Sequence, residues 1–385
     1  MAHTKRHQIV QPDSCLSLLQ QRLKYACSEL GESACYFVEN VPVWPSAAAP
    51  TPFAASGDIF QYADCNDASP LITAISARDN ALYGLDLSCD NFLVTNGGMH
   101  GLSLVFRQIK RRSTEAGSAV CLAPVFGAVP ALLEADGYEL IYYQMEAASP
   151  DVDEILAVCR PDTKLVYLNF PHNPLGGIYS GAFMENLVPS LAERDISLVL
   201  DMVYDSFIFD DQKISSPFIY TSDYSLLYTV NSVSKNYGSP GLRIGWVTSS
   251  SDNIEVMAGA LEIECVAVCS PAQTKAAHLI SMGNAPLHQQ VVNSRAVVRA
   301  FLGRHLSKYA LLPPAGTQIF VKLPVRDIEG FADQMLGEYG LVLATASNYS
   351  GSQGAHIRIP TGYSESVTHD ALELLRQGIE RYAEV

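Results

Sequence analysis

The chain has 385 residues, 48% of them hydrophobic and 17% charged, with a formal net charge of −15 and a pI near 5.0. Such a composition describes a globular protein with a sizeable core and excludes a disordered one. The acidity leaves no basic stripe for phosphates, which argues against nucleic acid and against an anionic membrane surface as partners.

Nine cysteines form no C-x-x-C pair, so neither a disulfide framework nor a zinc site is expected, and no other metal. Cys265 and Cys269 sit four apart in an apolar run and read as helix-core thiols. The first residues, MAHTKRHQIVQPDS, lack the apolar segment of a secretory leader. No apolar run approaches the roughly 18 residues of a membrane span. A cytoplasmic protein is expected.

In chain order, one helix is predicted over residues 16–29, followed by the Pro/Ala-rich VPVWPSAAAPTP, an arm or linker. From about residue 90, short apolar, β-branched runs read as strands: 91–96, 118–124, 138–145, 163–170, 196–201, 224–232 and 242–250. Helical patterns lie between several of them, as over 181–195. Beyond about 285 a long amphipathic helix leads to strands at 317–323, 341–345 and 355–360 and to a closing helix at 365–383. Strands interleaved with helices predict an α/β fold with a mostly parallel, doubly wound sheet. The expected organisation is an arm over 1–49 packing with the small domain, a large domain over 50–285, and a small α+β domain over 286–385.

In such sheets ligands sit beyond the carboxyl ends of the strands, and the residues there form a pattern. GGMHG (97–101) follows a strand and opens a helix. It is either a plain turn or a phosphate cup built from glycines and free N–H groups. Phe126 ends another strand, as a core aromatic or as a face for a planar ring. Asn173 stands in NFPHNPLGG, its amide aimed by flanking prolines, while His172 reads as structural. Asp201 ends the apolar LVLD with Tyr204 three residues on. A carboxylate there is either a helix cap or the partner of a cation. In NSVSKNYGSPGLRIGW, Lys235 is set among Ser232, Ser234, glycines and Arg243. A lysine buried so becomes a nucleophilic amine suited to Schiff-base formation. The S-x-x-K spelling of Ser232 to Lys235 also occurs in serine hydrolases, but the K-T-G that accompanies it there is absent.

Together these groups meet the needs of pyridoxal phosphate: a lysine for the aldehyde, an acid for the ring nitrogen, a phenolic-oxygen partner, a stacking face and a phosphate cup. The sequence resembles the fold-type I superfamily of pyridoxal-phosphate enzymes, in its aspartate aminotransferase-like branch, over roughly residues 55–380. SVSKNYGSPGLRIGW is the most specific part of that resemblance. The resemblance implies that Lys235 binds the aldehyde and shuttles protons, that Asp201 pairs with the ring nitrogen, and that Asn173 and Tyr204 bond the phenolic oxygen. It places Phe126 on the ring, and Ser232, Ser234, Arg243 and the backbone of Gly98 and Met99 around the phosphate. In AHIRIPTG it makes Arg358 the bidentate clamp of the substrate α-carboxylate, near Asn173. Tyr62, in QYADCNDASPLITAI, matches a tyrosine that reaches the partner subunit's phosphate, which implies a homodimer.

Several positions depart from the family pattern: Asp67 for a glycine, Met202 for an acid, Leu175 for a threonine, and FVENVPVWP, with Glu39 and Asn40, for a glycine-containing substrate loop. Glu39 and Asp67 are either solvated surface groups or partners for a substrate guanidinium. LNFPHNPLGG and SKNYGSPGLRIGW are most similar to the arginine cyclases of the capreomycidine and enduracididine synthase type. The leading expectation is therefore a cyclase that dehydrates a hydroxylated L-arginine and adds its guanidine internally to form the ring. The alternative is an aminotransferase that passes an amino group to a 2-oxo acid.

Overall fold

The computed structural model describes residues 15–50, 62, 69–112, 117–145, 150–210, 212, 214–307 and 312–382. Its strands are β1 (Cys35–Phe37), β2 (Phe92–Thr95), β3 (Gly117–Ala123), β4 (Val125–Phe126), β5 (Tyr138–Gln144), β6 (Thr163–Asn169) and β7 (Ser197–Asp201). They continue as β8 (Leu227–Ser232), β9 (Gly245–Thr248), β10 (Gln318–Lys322), β11 (Leu341–Thr345), β12 (Tyr349–Ser350) and β13 (His356–Pro360).

One sheet runs β2-β9-β8-β7-β6-β3-β5. β2, β3, β8 and β9 are buried along their whole length, as strands covered on both faces must be. Helices Gly98–Arg111, Ala128–Ala135, Gly181–Ala192 and Ser251–Cys265 pack against it. A second sheet, β1-β11-β13-β10, has its own apolar core, to which Val298, Leu302, Phe331, Met335, Leu372 and Leu375 contribute from three helices. The chain thus forms an α/β fold with two sheets, each around its own core. Helix Ala285–His305 joins the domains: Leu287 and Val291 pack on Phe207 and Phe209, while Val298 and Leu302 enter the second core.

Every strand expected from the apolar runs is present: the one over 341–345 keeps its bounds, the one expected over 118–124 runs Gly117–Ala123, and the others are shortened by one to three residues at one or both ends. The three-residue β1 carried no signal of its own. It exists because it pairs in parallel with β11, Phe37 opposite Leu343. Helix Cys15–Tyr25 is held to the same domain by Arg22, 4% exposed, which reaches Glu329 at 2.8 Å and Asp333 at 2.9 Å. The Pro-rich arm lies across the domain seam. Val43 N–H donates to the Gly362 carbonyl (2.8 Å), and the Trp44 indole to that of Tyr237 (2.9 Å).

The strands β6, β7 and β8 run parallel, so their carboxyl ends share one edge. β9 runs antiparallel between β2 and β8 and begins at that same edge, with Gly245 opposite both Thr95 and Ser232. Arg243 therefore reaches the edge from before a strand.

The expectation for the cysteine pair is corrected. Cys265 closes its helix half-buried, and Cys269 is exposed at the next helix start, because the helix that would have buried both breaks at Val266. Among the described residues no helix is long and apolar enough to cross a membrane.

Candidate active site

A cavity of about 230 Å³ opens at this edge. Gly98, Met99, Phe126, Asn173, Asp201, Tyr204, Ser232, Ser234, Lys235, Arg243 and Arg358 all line it, so of the candidate site residues among the described ones, Glu39 and Tyr62 are not on its wall.

The lysine comes first. β8 ends at Ser232, and the single turn Val233–Asn236 that follows turns Lys235 into the cavity. Burial lowers its amine from 10.5 to about 8, with Glu39 opposing that fall and Arg358 and Arg243 adding to it. A tenth of such an amine is neutral at pH 7, against roughly one part in three thousand for a solvated lysine. In the cofactor-free protein, acylation of Lys235 followed by mass spectrometry should therefore rise with pH and level off above about 8. A rise continuing toward 10.5 would refute the burial effect.

Asp201 ends β7, half-buried, with its carboxylate pushed up to about 6 by burial. Two donors oppose this, the Tyr167 hydroxyl at 2.9 Å and the Val203 amide at 3.4 Å. Two donors do not fully pair a buried carboxylate, and a cation in the cavity would. Tyr204 is buried and its phenol held neutral by desolvation, its oxygen accepting from Asn40 Nδ2 at 2.5 Å.

Behind Lys235 a buried cluster fixes the backbone. The Asp205 carboxylate accepts from Asn231 Nδ2 (2.6 Å) and Asn236 Nδ2 (2.7 Å) and from Arg78 and Tyr83. Asn231 precedes Ser232, Asn236 follows Lys235, and Asp205 follows Tyr204. One carboxylate thus ties the two segments that carry the reactive groups.

The anion end of the cavity is built on backbone. Gly97 has φ +81°, and a Cβ there would lie 2.5 Å from Arg243 Nη2, so only glycine permits this approach. Helix Gly98–Arg111 starts without a side-chain cap, leaving its first amides for an anion, and Ser232, Ser234 and Arg243 stand beside them. Gly245 is equally constrained, since a Cβ would lie 2.6 Å from the Gly97 carbonyl carbon.

At the opposite end Arg358, on β13, is buried. Nη1 donates to the Tyr349 hydroxyl at 2.9 Å and Nη2 to the Val38 carbonyl, while Nε is buried without a partner among the described residues. The Tyr349 hydroxyl in turn donates to Asn173 Oδ1 at 3.1 Å, and the Asn173 backbone N–H to Asn169 Oδ1 at 2.7 Å. Tyr349 is placed by the β4–β12 ladder, opposite Phe126. His172 is buried and its imidazole lowered to about 4 by desolvation, a neutral ring within the fold.

Glu39 stands exposed at the rim, its charge felt by Lys235, Tyr349 and Arg358. Tyr62 is 83% exposed and away from the cavity wall, and Asp67 lies outside the described residues. Leu175 and the buried Met202 stand where the family pattern has polar groups. Tyr167 and Tyr349 escaped the sequence reading. Tyr167 had one signal, its place two residues before Asn169 on the same face of β6.

An amine poised for an aldehyde, a carboxylate awaiting a cation and an anion cup with a glycine approach fit pyridoxal phosphate, and they define a pyridoxal-phosphate enzyme of fold type I. The chain matches the model of the aminotransferase class I and II family over residues 28–374 and belongs to that family. It is 86% identical, over the whole of both chains, to the L-aspartate:5-guanidino-3-methyl-2-oxopentanoate transaminase of Pseudomonas syringae pv. syringae. It is 32% identical to the 3-methylarginine biosynthesis aminotransferase ArgM of Streptomyces arginensis, covering 95% of this chain and 97% of that one. The crystal structure of aspartate aminotransferase from Thermotoga maritima superposes with a TM-score of 0.82 over 96% of this chain and 98% of that one, at 22% identity. Capreomycidine synthase of Streptomyces vinaceus is 22% identical over 65% of each chain. The balance corrects the leading expectation: the aminotransferase alternative has far stronger support than the cyclase. The two motifs that suggested a cyclase carry Asn173, Lys235 and Arg243, which line the cavity, and either reaction would need the same cofactor there.

Proposed function

We propose that the chain is an aminotransferase that moves the amino group of L-aspartate to 5-guanidino-3-methyl-2-oxopentanoate, giving oxaloacetate and 3-methylarginine. The observation that carries this reading is the 86% identity, end to end, with a transaminase of that name. The site supports it. Pyridoxal phosphate supplies an electron sink for the carbanion at the substrate α-carbon and a carbonyl that carries nitrogen between the two substrates.

The residues do the rest. Lys235 holds the aldehyde and moves the proton at the substrate α-carbon. Asp201 keeps the ring nitrogen protonated, Tyr204 and Asn173 orient the phenolic oxygen, and Phe126 covers the ring. Ser232, Ser234, Arg243 and the amides of Gly98 and Met99 hold the phosphate. Arg358 meets the α-carboxylate, which aspartate and the oxo acid have in common, with Nε and the spare hydrogens of its fork. Glu39, at the rim, meets the guanidinium. The working form is a cytoplasmic homodimer in which Tyr62 completes the partner's phosphate site.

The test is an assay with L-aspartate and the guanidino oxo acid, following oxaloacetate. Glu39→Gln is expected to raise KM for the guanidino acceptor about tenfold, the value of one charge-assisted contact, and to leave KM for L-aspartate unchanged. Absence of oxaloacetate would sink the reading. So would conversion of a hydroxyarginine to a ring product without any oxo acid, and that result would restore the cyclase.

A further inference from the structure

A second cavity, about 670 Å³ in volume, lies apart from the one that holds Lys235 and is of the size that small organic ligands occupy. It sits at the domain seam. One wall is helix Ala285–His305, with His288, Arg295 and Arg299; the other is the segment that continues from Tyr204, with Phe209 and Asp210.

Arg295 is 4% exposed. Its Nη2 donates to the Pro313 carbonyl, and its guanidinium carbon stands 4.0 Å from the centre of the Phe209 ring. Its Nη1 is buried and has no hydrogen-bond partner among the described residues. A guanidinium deprived of water and left with an unused donor is costly unless an acceptor arrives. Burial accordingly lowers Arg295 to about 10, with Arg299 adding to the fall and Asp210 opposing it. Two arginines against one aspartate make this a cationic hollow on a chain of net charge −15. Phe209 and Val292 line the same hollow.

We propose that this cavity is a second binding site, for a small organic anion whose carboxylate or phosphate group meets the guanidinium groups of Arg295 and Arg299 and whose apolar part lies beside Phe209 and Val292. The walls are built into the fold. Phe209 N–H donates to the Pro314 carbonyl (2.9 Å), Gly316 N–H to that of Phe207 (2.8 Å), and His288 Nε2 lies 3.2 Å from the Ile208 oxygen. The occupant touches the interdomain helix on one side and the chain that carries Asp201 and Tyr204 on the other.

Calorimetric titration of the holoenzyme with phenyl phosphate, at constant ionic strength, tests this, the cofactor's own phosphate site being filled. Saturable binding with Kd of about 1 mM or tighter is expected. Arg299→Ala should weaken it at least tenfold and Ala296→Glu should abolish it. Both positions are exposed and outside the active site, so the cofactor absorbance should not change in either variant. No binding to the wild type would overturn the proposal, as would binding unchanged in both variants. Displacement of the probe by a substrate analogue would assign it to Arg358 and overturn the proposal equally.

Discussion

Lys235→Ala is expected to cut amino transfer at least about a thousandfold and to remove the Schiff-base absorbance band of the holoenzyme. On the proposed function two roles fall on this one amine, attachment of the aldehyde and movement of the α-proton, and general acid–base catalysis alone is worth about 10² to 10⁴. No neighbour can substitute. Arg243 and Arg358 line the same cavity but stay charged, and Tyr204 is a phenol held neutral by burial. The cofactor-free variant should fold at least as well as the wild type. The lysine's folded value, about 8, lies below its unfolded 10.5, so the unfolded chain binds more protons between those values. Wild-type stability therefore carries the cost of a buried charge below about pH 8 and recovers as pH rises toward 10.5. Absorbance and single-turnover assays check the first claim, thermal melts the second. Retention of a tenth of wild-type activity would refute the assignment.

Asp201→Asn should separate activity from stability. Its carboxylate sits at about 6 against 3.8 unfolded, raised by burial. Between those values the folded chain binds more protons, so stability falls as pH rises through the window and stays low above it. Asparagine removes that cost and still accepts from Tyr167. The cofactor-free variant should gain about 1–3 kcal/mol at pH 7, a gain that vanishes below about pH 4. Activity should move oppositely, falling at least about a hundredfold, because a neutral amide cannot keep the ring nitrogen protonated. Melts of both proteins at pH 7 and pH 4 and an activity assay give the answer. A variant that is less stable at pH 7 would show that Asp201 is already well paired within the protein.

The contrast between the two residues has one source. Both are ionisable groups desolvated at the edge of a sheet, Lys235 losing its proton more readily and Asp201 keeping its own. In each the charged form is the destabilised one, which leaves Lys235 the neutral amine that an aldehyde requires and Asp201 a carboxylate that a ring cation would satisfy. The Asp205 cluster takes up the mechanical side, holding Asn231, Asn236 and the backbone after Tyr204 in one hydrogen-bonded knot.

Much of this was legible from residue order alone. Apolar runs ended by Gly, Pro, Asn and Asp mark strands because a strand covered on both faces tolerates little else. A lysine, aspartate, asparagine and serines just past such runs must gather at one edge when the strands are parallel. That reasoning places Asp201, Asn173, Ser232 and Lys235 from sequence, and with them the cofactor. Only the tertiary structure decided what depends on contacts distant in the chain. β9 runs antiparallel, and that brings Arg243 to the edge. A two-residue ladder sets Tyr349 beside Phe126 and so beneath Arg358, and the arm delivers Asn40 to Tyr204 across 164 positions. Neither strand direction nor a short ladder leaves a periodicity to read, because each is selected by the packing of whole domains and not by local propensity. The same holds at the seam, where Arg295, within an amphipathic helix, is in the fold a buried guanidinium on the wall of a cavity.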